Sequence, residues 1–209
     1  HFPNADGNLY DTGYRLDIDQ PIQPITGEDP NGAKILHAAV QPARAPIPER
    51  VAALRNSVNL DHFLSFMAME MITVHWDGYA MFKNNYRVYA DPETRRVEFF
   101  PHGMDLMFQR PDCSILPAWD GVIASGLMET PEGKRMYLDR LGQLVTNVFS
   151  VELVKERMRQ LDGVVRPFFL QDGPRQAQAH DRIIAELTVR IEQRAKSLQQ
   201  QLQNPEAFA

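Results

Sequence analysis

With 209 residues, 44% of them hydrophobic and 23% charged, the chain has the composition of an ordinary globular protein and enough length to bury one sizeable core. A formal net charge of -5 and a pI near 5.7 exclude a general nucleic-acid-binding surface, which depends on clustered Lys and Arg. One cysteine, Cys113, excludes an intramolecular disulfide and a cysteine-rich zinc site, and no apolar run reaches the roughly 18 residues of a membrane span.

The opening His1-Phe-Pro-Asn-Ala-Asp-Gly carries no signal peptide and reads like the interior of a longer sequence, which leaves room for an upstream targeting segment. Residues 1–31 are rich in Pro and Gly and read mostly as loop, with the alternation from Tyr14 to Asp19 predicting one edge strand. Asp11, Asp17, Asp19, Glu28 and Asp29 lack the Gly-centred regularity of a calcium loop and are assigned to solvated surface. A short helix is expected over Ala33–Val40, ended by Pro42, and a second from Pro48 to Val58 with proline in its first turn. Asn59 or Asp61 caps the next helix. Its Leu60, Phe63, Leu64, Met67, Met71 and Val74 follow helical spacing, and Phe66, Met69 and Ile72 fill the other sides, the pattern of a buried helix. Met67, Met69, Met71 and Met81 suit core filling better than copper ligation.

That helix leads into His75-Trp76-Asp77. Beyond it, Asn85–Ala90 and Arg95–Phe100 are rich in Tyr, Val and Phe and flank the turn residues Asp91-Pro92-Glu93-Thr94, which predicts a β-hairpin. A hairpin returns the chain to its start, so Asp77, Asn84 and Asn85 should lie near His102 and Asp105, an oxygen-rich end suited to a hard divalent cation. Three readings remain open at this level. Each residue could be simple turn or cap chemistry. His75, Asp77, His102 and Asp105 could form a zinc- or manganese-type hydrolytic site, although no tight His pair is present. Or the group could serve phosphoryl transfer, which needs one carboxylate to orient a hydroxyl and an amide plus a carboxylate to hold magnesium.

Gln109–Gly126 reads as irregular, either a flap or a loop packed down by Ile115, Leu116 and Trp119. Thr130-Pro131-Glu132 starts a helix with Tyr137, Leu141, Leu144, Val145, Val148 and Phe149 as its buried stripe. Ser150 caps another, carrying Val151, Val154, Met158 and Leu161. The final helix, from Pro174 to about Leu202, presents Ile184, Leu187, Ile191, Ala195, Leu198 and Leu202, and is expected to close a helical bundle or to dimerise; the tail from Asn204 should fray.

Asn59-Leu-Asp-His-Phe-Leu, Trp76-Asp-Gly-Tyr, Asn84-Asn-Tyr-Arg-Val-Tyr-Ala-Asp-Pro and Phe99-Phe-Pro-His-Gly-Met-Asp-Leu-Met-Phe together resemble the core of the spore coat protein H (CotH) kinase family. Gly7-Asn-Leu-Tyr, Glu129-Thr-Pro-Glu-Gly and Arg190-Ile-Glu-Gln-Arg extend the similarity over most of the chain. The resemblance implies a predominantly helical α+β domain spanning residues 1–209, a kinase-like large lobe with a hairpin at its active site and a helical bundle at its end. Within it, 1–31 is loop, 32–110 the catalytic core and 111–209 helical. It implies a secreted or cell-surface enzyme that transfers phosphate from ATP, with Mg²⁺, to Ser or Thr of a protein substrate. Asp77 would be the catalytic aspartate, Asn85 the metal-binding amide, with Asn84 the second choice at the nucleotide, and Asp105 the metal-binding carboxylate. Where family members often read Pro-Trp-Asp-x-Asp, this chain has Pro101-His102-Gly103-Met104-Asp105, and the segment from Asp77 to Asn85 is longer than usual. Nothing before Asn59 supplies a phosphate-covering strand pair or its Lys, since Lys34 falls in a helix, so a small lobe is expected upstream. An inactive surface-binding or adhesion module and a metal-dependent hydrolase are the rival functions.

Overall fold

The computed structural model describes residues 6–208, a predominantly helical protein with a small antiparallel sheet at one edge. Strands β1 (Asn8–Asp11), β2 (Pro24–Thr26), β3 (Tyr86–Ala90) and β4 (Val97–Pro101) form one sheet in the order β2-β1-β3-β4. A hairpin β3–β4 forms as the sequence pattern predicts, with strands that begin one and two residues later than expected and pair Tyr86 with Pro101 and Ala90 with Val97. The helices are α1 (Gly32–Ala43), α2 (Ile47–Ser57), α3 (Leu60–Thr73), α4 (Tyr79–Phe82), α5 (Val122–Met128), α6 (Pro131–Asn147), α7 (Val151–Gln171) and α8 (Pro174–Gln203). None of the described helices is long and apolar enough to cross a membrane.

The N-terminal region departs from the sequence reading. The expected strand over Tyr14–Asp19 is a turn, and two strands form on either side of it. The apparent alternation comes from anchoring: Ile18 is buried, and the buried Asp17 carboxylate accepts the N–H of Ile18 and of Val122, both at 2.7 Å. Asp17 is therefore no surface acid. It serves the first free N–H groups of α5, where negative charge is favoured, although burial pushes its carboxyl up to about 6.

Helix α3 is the centre of the core. Asn59 caps it by accepting the N–H of His62 at 3.5 Å, and Phe63, Leu64, Met67, Met71 and Ile72 are almost fully buried. Phe63 and Phe66 meet Tyr79 and Phe99 at ring-centroid separations of 4.8 to 6.3 Å, joining α3 to α4 and β4 in one aromatic cluster. Thr130 and Ser150 cap α6 and α7 as expected, accepting the N–H groups of Gly133 and Leu153. Of the stripe predicted for α6, Tyr137 and Leu141 are buried, Leu144, Val145 and Phe149 pack partly buried on the core, and Val148 alone fails. The helix ends at Asn147, so Val148 turns outward and is exposed.

The C-terminal helices differ most from their pattern. Helix α7 buries no residue completely and packs on α8; Val151, Val154 and Met158 are half-buried and Leu161 is exposed. On α8, Ile191 and Leu198 are buried as predicted, and so are Arg194 and Gln201, which the pattern assigns to the polar face. Both polar side chains bury because they serve loop backbone. Gln201 accepts the N–H of Ile115 at 2.8 Å and donates to the Cys113 carbonyl at 3.1 Å. Arg194 donates to the carbonyls of Met71, Ile72, Pro111 and Cys113. The segment after Gln109 is thus packed down, with Ile115 and Leu116 buried, rather than free as a flap. The tail forms a 3₁₀ turn over Pro205–Phe208 instead of fraying, held by Ser114 Oγ on the Phe208 carbonyl and by Lys134 on Glu206 at 2.7 Å; Ala209 lies outside the described residues.

Replacing Arg194 by Leu fills its space with carbon and strips its donors from four carbonyls, of which Cys113 keeps Gln201 and Met71 keeps the Val74 N–H. The expected loss is roughly 3 kcal/mol of stability, read as a lower urea midpoint.

Candidate functional site

The loop between α3 and α4 begins with strain. Val74, the last cap of α3, is β-branched yet adopts a left-handed backbone with φ +53°. That turn directs His75-Trp76-Asp77-Gly78 back across the helix end, where His75 N–H donates to the Glu70 carbonyl at 2.8 Å. The Glu70 side chain does the rest. Its two oxygens accept the N–H of Tyr79 at 2.8 Å and of Ala80 at 2.9 Å, which are the opening amides of α4. A Cβ on Gly78 would fall 2.2 Å from Glu70 Oε1 and 2.8 Å from His75 Nδ1, so only glycine fits beneath them.

Asp77 is 7% exposed and is met from the hairpin side: Asn85 Nδ2 donates to Asp77 Oδ2 at 2.7 Å. Asn85 itself has φ +49°, a conformation that asparagine tolerates better than most residues, and its carbonyl accepts the N–H of His102 at 2.9 Å. The returning strand is thereby fixed beside the entering loop. Asn84 contributes its backbone N–H to the Gly78 carbonyl at 3.3 Å. Asp105 sits exposed on the 3₁₀ turn Met104–Leu106, near enough for its charge to act on His75. The hairpin thus joins Asp77 and Asn85 directly and brings Asp105 into their neighbourhood.

The arrangement expected for a zinc or manganese hydrolase does not form. His102 is exposed, His75 is buried, and among the described residues no three His, Cys, Asp or Glu side chains converge as a metal-holding group. Cation-binding capacity of a different kind remains. Asp77 Oδ1 is buried without a hydrogen-bond partner, and Asn85 uses its amide nitrogen on Asp77, which leaves its oxygen free of that bond. Magnesium needs few protein oxygens when phosphates supply the others, so these donors suit it better than they suit zinc.

Burial dominates the electrostatics. It pushes the Glu70 carboxyl up to about 8, against the pull of the two backbone N–H groups and with help from the Asp77 charge. It pushes His75 down, opposed by the Asp77 charge, the Gly103 backbone and Asp105. A groove of about 500 Å³ runs from Asp105 past Met104 and Met107 to Met158 of α7 and Leu187 of α8. Sequence reasoning passed over Glu70, because one acid in an apolar helix looks like an exposed position; the signal available was its lone charge amid residues buried all round.

The family model described as CotH kinase protein matches residues 29–207. The chain belongs to the CotH kinase family. Among curated CotH relatives, Invasin CotH2 of Rhizopus delemar is 26% identical over 134 residues, 56% of this chain and 22% of that protein. Invasin CotH7 of the same fungus is 28% identical over 115 residues, 49% of this chain and 19% of that protein. The matched region is thus about a fifth of these relatives' length. Gly103 has φ +54°, and a Cβ there would approach Asn85 Oδ1 to 2.6 Å.

Gly103→Ala should therefore cost roughly 1–2 kcal/mol through left-handed strain and displacement of Asn85, measured by thermal unfolding. Glu70 gives a second expectation. Its folded pKa lies above the unfolded value, so the folded state holds the proton to higher pH, and the stability this group contributes is complete in acid and lost as pH rises toward about 8. Against Glu70→Gln, which cannot titrate, the wild-type protein should lose relative stability between about pH 5 and about pH 8 in urea titrations at successive pH values.

Proposed function

We propose that the chain is the large lobe of a CotH-type protein kinase, which transfers the terminal phosphoryl group of ATP to a Ser or Thr hydroxyl of a protein. The observation that carries this reading is the 2.7 Å bond between Asn85 and the buried Asp77 at the mouth of the hairpin, beside an Asp77 oxygen left without a partner. Phosphoryl transfer asks a protein mainly for positioning and charge stabilisation, and this constellation supplies both.

In this reading Asp77 orients the acceptor hydroxyl and takes its proton as the oxygen attacks phosphorus. The amide bond from Asn85 fixes which carboxylate oxygen remains available. The Asn85 side-chain oxygen and the Asp105 carboxylate would hold the cation, and a bound magnesium would supply neutralisation of the phosphate charge. Asn84, one residue too early to reach Asp77, is assigned to shaping the turn. The groove beside Asp105 gives an acceptor segment a route to the site. A separate phosphate-clamping lobe completes the nucleotide site in a longer protein, and the invasin names of the relatives favour a secreted or surface location.

A second reading, an inactive surface-binding module, is favoured by those same names and by Gly103 in place of the family's aspartate. The two separate cleanly. With the full-length protein and radiolabelled ATP, the kinase reading expects magnesium-dependent label transfer that falls roughly a hundredfold or more in Asp77→Ala and strongly in Asn85→Ala and Asp105→Ala. Label transfer absent from the wild type, or equal in all four proteins, would leave the binding module as the function.

A further inference from the structure

We propose that Glu70, acting with His75, is a positioning residue for Asp77: its buried carboxyl group clamps both sides of the loop that carries the catalytic group. The inference rests on the assignment of Asp77 as the proton-accepting group.

The clamp has two arms. On one side, the Glu70 oxygens hold the amides of Tyr79 and Ala80, two and three residues beyond Asp77. On the other, Glu70 Oε1 faces His75 Nδ1 at 3.7 Å while His75 Nε2 faces Asp77 Oδ1 at 3.6 Å. The imidazole therefore stands between the Glu70 carboxyl group and the Asp77 carboxylate, each just beyond hydrogen-bond length. Both ring nitrogens and Asp77 Oδ1 are buried and make no hydrogen bond of ordinary length, while the Gly103 backbone also faces the ring. Orphaned buried polar atoms are costly, and a closure of less than ~1 Å brings both pairs to hydrogen-bond length. Closure joins Glu70 to His75 and His75 to Asp77, while Asn85 already holds the other Asp77 oxygen. Asp77 is then oriented through both oxygens, with the second lone pair of Oδ1 left for the acceptor hydroxyl, its loop is held through two amides, and Gly78 is the residue small enough to allow it.

The role differs from core packing. A packing residue could be exchanged for an apolar one of equal volume. A clamp must act through Asp77, so its loss affects turnover far more than substrate affinity. The test uses the full-length protein with Glu70→Gln, which keeps volume and loses one acceptor, and His75→Phe, which keeps a ring and loses both nitrogens. Each is measured alone and combined with Asp77→Asn. The expected result is a fall in kcat of roughly 10- to 100-fold in the single variants, with KM for ATP and for the acceptor changed less than about twofold. In the Asp77→Asn background neither substitution should lower kcat further. Equal losses in both backgrounds, or unchanged kcat in the soluble single variants, would overturn the clamp. Undiminished turnover of Asp77→Asn alone would instead overturn the assignment of Asp77, so the two failures are distinguishable.

Discussion

A helix ends with four carbonyls left over from its own ladder, and at the end of α3 these four are shared among the loop that follows it and two distant segments. The Glu70 carbonyl takes the N–H of His75, Met71 and Ile72 take the guanidinium of Arg194, and Thr73 takes the N–H of Phe108. The loop carrying Asp77, the last helix and the segment leaving the 3₁₀ turn are therefore pinned to the same turn of backbone. A cation at a helix C-terminus is also favoured by the helix dipole, and the four loop and helix carbonyls around Arg194 compensate for burying it. Helix α8 thus contributes to the site without providing a group to it.

The same region collects backbone strain. Val74, Lys83, Asn85, Gly103 and Phe108 all have positive φ between +49° and +61°. Four of them carry side chains that make this conformation unfavourable, and they persist because neighbouring hydrogen bonds and packing over-determine the path. Val74 is held by the helix end, Lys83 by the carbonyl of Tyr79, and Asn85 by Asp77 and His102. A site assembled from loops becomes rigid in this way because each turn is fixed from both sides.

What the sequence disclosed follows from which forces are local. Capping by Asn59, Thr130 and Ser150 and the pairing of Tyr86–Ala90 with Val97–Pro101 depend on neighbouring residues, and all were legible. The meeting of Asn85 with His102 was legible too, because a hairpin fixes where its ends meet. Asp17, Glu70, Arg194 and Gln201 were not. Each is a polar residue buried for the sake of backbone groups far along the chain, and a hydropathy pattern assigns such residues to solvent. The exposed apolar residues of α7 misled in the opposite sense, since spacing shows that a stripe exists and not what covers it.

Gly103 brings the local and distant constraints together. Its position would place a Cβ against Asn85 Oδ1, and its left-handed backbone turns β4 into the 3₁₀ turn that bears Asp105. Any side chain at 103 would crowd the amide that anchors Asp77, and glycine leaves that amide in place. The bare backbone at 103 and the close seating of Asn85 on Asp77 are thus two sides of one packing solution, in which a distant hydrogen bond is made possible by a local turn.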